Sequence, residues 1–192
     1  MKHNPIYILL FLLLLGCNNR SSMPRPTGYM RIDLPEKAYR LFDSTGYPYR
    51  FESPVYAQLI PDTESYMFEP FWLNMRMPEK ATLHLSYKRV DNNLTALLND
   101  TYNFVYRHVI KADAITESTF NIKERNVYGI LYEIGGNAAS SVQFYATDST
   151  RNFLRGSLYF NETPNHEFLA PMVQYYTVDI LHLIETLVWK QK

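Results

Sequence analysis

FWLNMRMPEKATLHLSY, residues 71–87, decides the fold class, because apolar and polar side chains alternate on both sides of a central turn. A period of two is typical of a strand with one buried face. Pro78-Glu79-Lys80 supplies the turn, so the stretch predicts a β-hairpin. The apolar positions are Phe71, Leu73, Met75 and Met77 before the turn, and Ala81, Leu83, Leu85 and Tyr87 after it.

The period changes directly after this hairpin, which predicts a helix over residues 94–112. Apolar side chains recur there at helical spacing, without an intervening Gly or Pro. Asn92 and Asn93 are suitable capping residues for its start. The stripe consists of Leu94, Leu97, Leu98, Thr101, Tyr102, Val105, His108, Val109 and Ala112.

Four extended runs and a second helix complete the pattern. The runs cover residues 115–122, 127–134, 141–146 and 153–160, and short turn-like joints separate them. Short joints between successive strands indicate an antiparallel meander. The last apolar stripe, from Leu169 to Leu187, predicts a helix with Pro171 in its first turn.

This order of elements predicts an α+β fold. We expect an antiparallel sheet of about six or seven strands, with one central and one C-terminal amphipathic helix packed on it. The layout is similar to the antiparallel sandwich of PsbP/Mog1-like folds.

Composition excludes several classes of protein. With 46% hydrophobic and 20% charged residues among 192, the chain is not disordered throughout. Nineteen basic residues balance nineteen acidic ones, which argues against a nucleic-acid partner. The single cysteine, Cys17, permits neither an intrachain disulfide nor a cysteine-based zinc site.

The N-terminus predicts a lipid anchor. Residues 6–15 form an apolar run of ten residues, whereas a transmembrane helix needs roughly 20. The run has the length of a signal-peptide core, and Leu14-Leu15-Gly16-Cys17 looks like a bacterial lipobox. We therefore expect a signal peptide over residues 1–16, and acylation of Cys17 with fatty acids such as palmitate. A flexible tether over residues 17–26 would precede one globular α+β domain over residues 27–192.

The anchor also predicts the location. Several acyl chains hold a protein stably at a membrane. No acidic run, a frequent mark of surface-exported lipoproteins, follows Cys17. We therefore expect the domain to face the periplasm from the inner or the outer membrane.

Catalytic and metal-binding patterns are weak. The five histidines form no HxxxH, HxH or HExxH pair, so the sequence predicts neither a metal site nor a cofactor. The small-residue stretch over residues 135–141 lacks the features of a phosphate loop or a nucleophile elbow, which favours a tight hairpin. Spacing alone does not support a triad of Ser140, His84 and Asp148. The sequence predicts that the protein is not an enzyme.

Eight segments, in order behind the lipobox, resemble the gliding motility lipoprotein GldD family. Together they span residues 28–186, and the strongest likeness is GNAASSVQF at residues 136–144. The others are GYMRIDLP at 28–35, HLSYK at 84–88, KADAI at 111–115, DST at 148–150, FLRGSLYF at 153–160, LAP at 169–171 and LIET at 183–186.

The resemblance implies a non-enzymatic accessory lipoprotein of the gliding motility machinery, which is coupled to type IX protein secretion. It would act through contacts with other gliding and secretion proteins of the envelope. Polar residues of the matching segments are the candidate contacts: Lys111, Asp113, Asn137, Ser140, Ser141 and Arg155. The alternative is a periplasmic module that binds a small ligand or peptide, with His84, Gln143 and tyrosines lining a pocket.

Overall fold

The computed structural model describes residues 33–63, 69–107, 112–161 and 165–190, in which ten strands and two helices form. Strands β1 to β5 span Tyr39–Phe42, Tyr49–Pro54, Gln58–Pro61, Leu73–Arg76 and Ala81–Arg89. Helix α1 spans Leu94–Tyr106, and strands β6 to β9 span Ala112–Ile122, Val127–Gly136, Ser140–Thr147 and Asn152–Phe160. Helix α2 spans His166–Thr186, and strand β10 spans Val188–Trp189.

Two antiparallel sheets organise these strands. The larger sheet has seven strands in the order β3-β4-β5-β9-β8-β7-β6, and the smaller has the order β1-β2-β10. The predicted hairpin is β4–β5, in which Leu73 lies opposite Leu85. The predicted meander is β6 to β9. The α+β class with two helices and a six- or seven-stranded antiparallel sheet is therefore confirmed.

The two helices pack on opposite faces of the larger sheet. Tyr176 of α2 is fully buried and contacts the ring of Phe160 on β9. Leu97 of α1 packs with Phe153, seven residues earlier on the same strand. Because side chains alternate along a strand, an odd separation puts Phe153 and Phe160 on opposite faces. Burial of each large apolar side chain contributes about 1.5–3 kcal/mol to this core.

The central helix is shorter than its apolar stripe predicts. Helix α1 ends at Tyr106, and Ala112 already belongs to β6, where it pairs with Gly136. Sheet pairing satisfies the backbone of Ala112 there, so helical spacing of side chains does not decide its conformation. Asn93 is the N-cap residue, as predicted, but its side chain does not cap the helix and instead accepts from the backbone N–H of Asp91 at 2.8 Å.

The C-terminal helix begins earlier than predicted. Asn165 caps it by accepting a hydrogen bond from the backbone N–H of Phe168 at 3.2 Å. Helix α2 therefore starts at His166, and Pro171 lies inside the helix rather than in its first turn. Strands β1 and β10 were not predicted, because four and two residues are too short to show a period.

A buried carboxylate fastens the start of the described chain to α2. Asp179 is only 2% exposed and accepts from Lys37 Nζ at 2.7 Å and from the hydroxyl of Tyr39 at 3.0 Å. The hydroxyl of Tyr56 also donates to Asp179. Burial and these hydrogen bonds raise the pKa of Tyr39 and of Tyr56. We call these four residues the Asp179 cluster.

Several predictions concern residues outside this description. Cys17, the signal peptide over residues 1–16 and the tether over residues 17–26 all lie outside the described residues. Within the described part, no helix combines the length and apolarity needed to cross a membrane.

Candidate functional site

Two of the predicted contact residues meet at one corner of the larger sheet. Asp113 on β6 and Asn137 after β7 are both exposed, and the pairing of Ala112 with Gly136 brings them together. Gly136 has a φ of +85°, and a Cβ there would lie 2.8 Å from the backbone nitrogen of Asp113. Only glycine fits this turn without strain. Lys111, predicted for the same corner, lies outside the described residues.

The two predicted serines differ in their environments. Ser140 is fully buried, and its hydroxyl donates to the carbonyl of Val142 at 3.4 Å. In this conformation the hydroxyl stabilises the backbone at the start of β8. Ser141 is partly exposed and lines a pocket of about 420 Å³ between the corner and α2. We call it the corner pocket; Gly136, Ala138, Ser141, Leu169, Val173 and Val178 are among its lining residues.

The rim of the corner pocket exposes apolar surface. Val178 lines the pocket and is 50% exposed, and Phe168 and Leu181 are exposed apolar residues of α2 outside the pocket lining. Exposed polar groups, Asp113 and Asn137, lie close to the corner turn that lines the pocket. Apolar surface with polar neighbours is the composition of a protein–protein contact.

Arg155 is not part of this corner. It lies on β9 opposite Tyr145 of β8, on the sheet face that α1 covers. Its guanidinium carbon is 4.7 Å from the ring centroid of Phe104 on α1, and its Nη2 donates to Gln143 Oε1 at 2.6 Å. The candidate contacts predicted as one set therefore occupy two separate places.

Three buried polar atoms around Arg155 have no hydrogen-bond partner among the described residues: Gln143 Nε2, Arg155 Nε and Ser157 Oγ. Gln143 and Ser157 form a cross-strand pair, and Arg155 precedes Ser157 by two residues on the same face. Because the guanidinium can only donate, the Gln143 amide must present its nitrogen as the unpaired group. Burial also lowers the pKa of Arg155. We call these residues the Arg155 trio.

A polar row extends from the Arg155 trio across the sheet. Register places Tyr132, Gln143, Ser157, His84 and Asn74 side by side on five neighbouring strands. His84 Nδ1 lies 2.7 Å from Asn74 Oδ1, and desolvation lowers the pKa of His84, which favours its neutral form at pH 7. His84, Gln143 and Tyr132 thus lie in one row on one sheet face, where Gln143 is fully buried and Tyr132 is 4% exposed.

A third site was missed by the sequence analysis. A cleft of about 840 Å³ lies where the ends of the two sheets meet, and cationic side chains line it. We call it the cationic cleft; its charged residues are Arg89, Arg125, Arg151, Lys190 and Asp148. In an antiparallel meander, alternate turns lie at the same end of the strands. The predicted turns at residues 123–126 and 148–152 were therefore expected to be neighbours, which is the sequence feature that could have indicated the cleft.

Among the described residues, no group of three His, Cys, Asp or Glu side chains is arranged to hold a metal ion. The hydrogen bonds of Ser140, His84 and Asp148 also run to other groups: to Val142, to Asn74 and to the 148–152 turn.

The sequence matches the family described as gliding motility lipoprotein GldD over residues 19–189. A lipoprotein is held at a membrane of the cell envelope by its attached lipid, and this family is named for its part in gliding motility. No curated protein matches the chain. Among solved structures, the chain is similar to cyanobacterial PsbP (CyanoP) from Synechocystis, with 11% identity and a TM-score of 0.47. The match covers 82% of this chain and 97% of that one, and we draw no function from it.

Proposed function

Because this chain belongs to the gliding motility lipoprotein GldD family, we propose that it is a lipid-anchored accessory component of the gliding machinery. In this proposal the component is coupled to type IX protein secretion and works through contacts with other envelope proteins. The family match over residues 19–189 is the observation that carries the proposal.

The corner pocket supports a role in protein contacts. Its wall contains Gly136, Ala138 and Ser141, which belong to the segment that resembles the family most strongly. Val178 in its lining is half exposed, and the exposed polar groups of Asp113 and Asn137 flank Gly136, which lines it. We propose that a partner protein inserts an apolar side chain here.

The anchor on Cys17 would make weak contacts sufficient. Confinement to a membrane surface raises the effective concentration of the partner, so a small pocket can hold it. We propose that the domain faces the periplasm, where other envelope components meet it.

The proposal includes no enzymatic step. A serine hydrolase needs a hydrogen-bonded chain from serine to histidine to carboxylate. Ser140 is instead buried against Val142, and Asn74 lies against the Nδ1 atom of His84. These contacts do not form that chain, and the proposed role uses binding alone.

Complementation of a deletion strain tests the proposed function. The strain would receive wild type, Cys17→Ala, Val178→Glu or Val55→Glu, with secreted proteins and cell spreading scored together. Val55 is a matched control, because it is an apolar residue 47% exposed at the turn after β2. We expect wild type and Val55→Glu to restore both activities, and Cys17→Ala and Val178→Glu to fail.

The outcomes separate the parts of the proposal. Normal secretion and movement in the deletion strain would overturn the accessory role. Full rescue by Val178→Glu at wild-type abundance would retain that role but reject the corner pocket as the contact.

The Arg155 trio favours a second candidate function, a periplasmic module that binds a ligand or peptide. Three buried polar atoms without partners on one sheet face are an arrangement that a polar ligand could satisfy. A thermal-shift screen of envelope lipids, glycans and peptides tests it. A stabilising compound whose effect disappears in Arg155→Met would support it, whereas the absence of any stabilising compound would contradict it.

A further inference from the structure

The cationic cleft concentrates positive charge in a protein whose net charge is zero. The guanidinium groups of Arg89 and Arg151 make no hydrogen bond or ion pair within the described part of the chain. They belong to neighbouring segments, since the N–H of Val90 donates to the carbonyl of Arg151 at 2.8 Å. Two uncommitted guanidinium groups therefore border one concave surface.

The other two cations of the cleft are only partly committed. Arg125 donates one N–H to the carbonyl of Glu185 at 2.7 Å, which leaves most of its five donors available. Lys190 donates to the carbonyl of Ser44 at 2.9 Å and forms an ion pair with Asp43.

Asp148, the one carboxylate among the described lining residues, already accepts hydrogen bonds from its own turn. Asp148 accepts hydrogen bonds from the backbone N–H groups of Thr150, Arg151 and Asn152 at 2.7–2.9 Å. Burial opposes its ionisation, but these hydrogen bonds outweigh burial and lower its pKa. Asp148 is thus a fixed part of the wall and not a partner of the arginine side chains.

An edge strand at the cleft favours an extended peptide as the occupant. Strand β10 pairs with β2 on one side, and no described strand pairs with its other side. Trp189 of β10 lines the cleft, beside Phe71 and Tyr87. A peptide can add to such an edge by backbone hydrogen bonds while its side chains enter neighbouring pockets.

We propose that the cationic cleft binds a carboxylate-rich, extended peptide segment of a partner protein. Each arginine fork can hold a carboxylate through paired, charge-assisted hydrogen bonds. Aromatic side chains supply apolar contact area, and the volume of about 840 Å³ lies within the range of pockets that bind small ligands. The inference rests on the proposed function, in which the chain acts through protein contacts. It adds a second contact, which is cationic whereas the corner pocket is largely apolar.

Fluorescence anisotropy with a labelled oligoglutamate peptide tests this inference on the purified full chain. We expect saturable binding that weakens with added salt, as contacts between exposed charges do. The double variant Arg89→Glu/Arg151→Glu should lower the affinity at least about tenfold, which corresponds to about 1.4 kcal/mol. Arg76→Glu should keep wild-type affinity, because Arg76 is an exposed arginine on β4 outside the cleft.

Competing probes distinguish the peptide from other anions. Polygalacturonate or inorganic phosphate that displaces oligoglutamate at equal carboxylate or phosphate concentration would overturn the peptide assignment. Equal loss of affinity in Arg76→Glu, or no binding at all, would overturn the cleft itself. Since all three arginine side chains are exposed, we expect unchanged unfolding transitions in the variants. Complementation of the deletion strain does not depend on this binding assay, so failure of the cleft and failure of the proposed function are distinguishable.

Discussion

The Asp179 cluster and the Arg155 trio each combine a charged side chain with buried polar groups, yet only the Asp179 cluster is saturated with hydrogen bonds. Asp179 has three donors aimed at its carboxylate, and they come from β1, from the turn after β2 and from the segment before β1. Arg155 has one hydrogen bond, to Gln143, and its Nε remains unpaired among the described residues.

This difference distinguishes polar groups that stabilise the fold from polar groups that reduce its stability. A buried group with all its partners present stabilises one arrangement of the chain, and its loss leaves other charges uncompensated. A buried donor without an acceptor costs about 1–3 kcal/mol, which the fold must supply from elsewhere. We therefore expect the Asp179 cluster to stabilise the fold, and the Arg155 trio is the part of the chain on which the second candidate function, ligand binding, rests.

Loss of the Asp179 carboxylate should give the largest decrease in stability. Asp179→Ala leaves Lys37 beside two tyrosine rings without its counter-ion. We expect the free energy of unfolding to fall by about 3–5 kcal/mol, measured by urea denaturation of the purified chain.

A matched control for this variant is Asp43→Ala, whose exposed carboxylate pairs with Arg50 and Lys190 at the surface. It should change stability little, because exposed ion pairs contribute little. Equal effects of the two variants would contradict the structural role of Asp179.

Replacement of polar groups of the Arg155 trio by apolar ones should increase stability, the opposite of the effect expected for Asp179→Ala. In the double variant Gln143→Leu/Arg155→Met, two of the three unpaired buried atoms are removed together. We expect the free energy of unfolding to rise by about 1–3 kcal/mol, since apolar groups of similar shape carry no desolvation penalty.

The single variant Gln143→Leu provides the comparison, because it removes the only acceptor that the described residues offer Arg155 Nη2. It should lower stability, and the same urea titration measures both variants. A double variant that is less stable than Gln143→Leu would contradict this prediction and would show that the trio stabilises the fold.

Asp148 should show a smaller, pH-dependent effect. Its pKa is lowered by hydrogen bonds from the 148–152 turn that outweigh burial. A lowered pKa in the folded state stabilises the protein above the unfolded pKa of about 4, and this contribution is lost as pH falls through the lowered value. Asp148→Asn should therefore reduce stability by about 1 kcal/mol at pH 7, and by progressively less below pH 4.

The control for this prediction is Asp100→Asn, an exposed carboxylate on α1. Thermal unfolding at a series of pH values gives the comparison. A constant difference between Asp148→Asn and wild type down to the lowest pH would show that ionisation of Asp148 plays no part.

Periodic segments of the sequence predicted most of the fold. The alternation over residues 71–87 gave β4 and β5 and their pairing, and the four later runs gave the meander. Strands β4 and β5 each bury one face, so their period is visible in the order of residues. Strands β8 and β9 are buried on both faces and were predicted as extended runs between turns instead. Short strands such as β1 and β10 have no visible period, and the end of α1 depends on pairing between Ala112 and Gly136.

The candidate sites were less predictable, because they combine residues distant along the chain. Asp113, Asn137 and Arg155 were predicted as one set of contacts, but the fold brings Asp113 and Asn137 to one corner and places Arg155 on the face that α1 covers. In the cationic cleft, pairing of β5 with β9 brings Arg89 and Arg151 together, and Lys190 directly follows β10 of the smaller sheet. The basic residues at these turns are visible in the sequence, but the sequence alone does not show that β10 lies beside them.

Site-specific photo-cross-linking in living cells tests the contact role of the corner pocket most directly. A photoreactive amino acid would replace Asn137 or, as control, Val55, both of which are exposed. The account predicts that position 137, but not position 55, cross-links to a protein of the gliding or type IX secretion machinery. It also predicts that Val178→Glu abolishes the cross-link. The same cross-link from both positions, or one that persists in Val178→Glu, would contradict it.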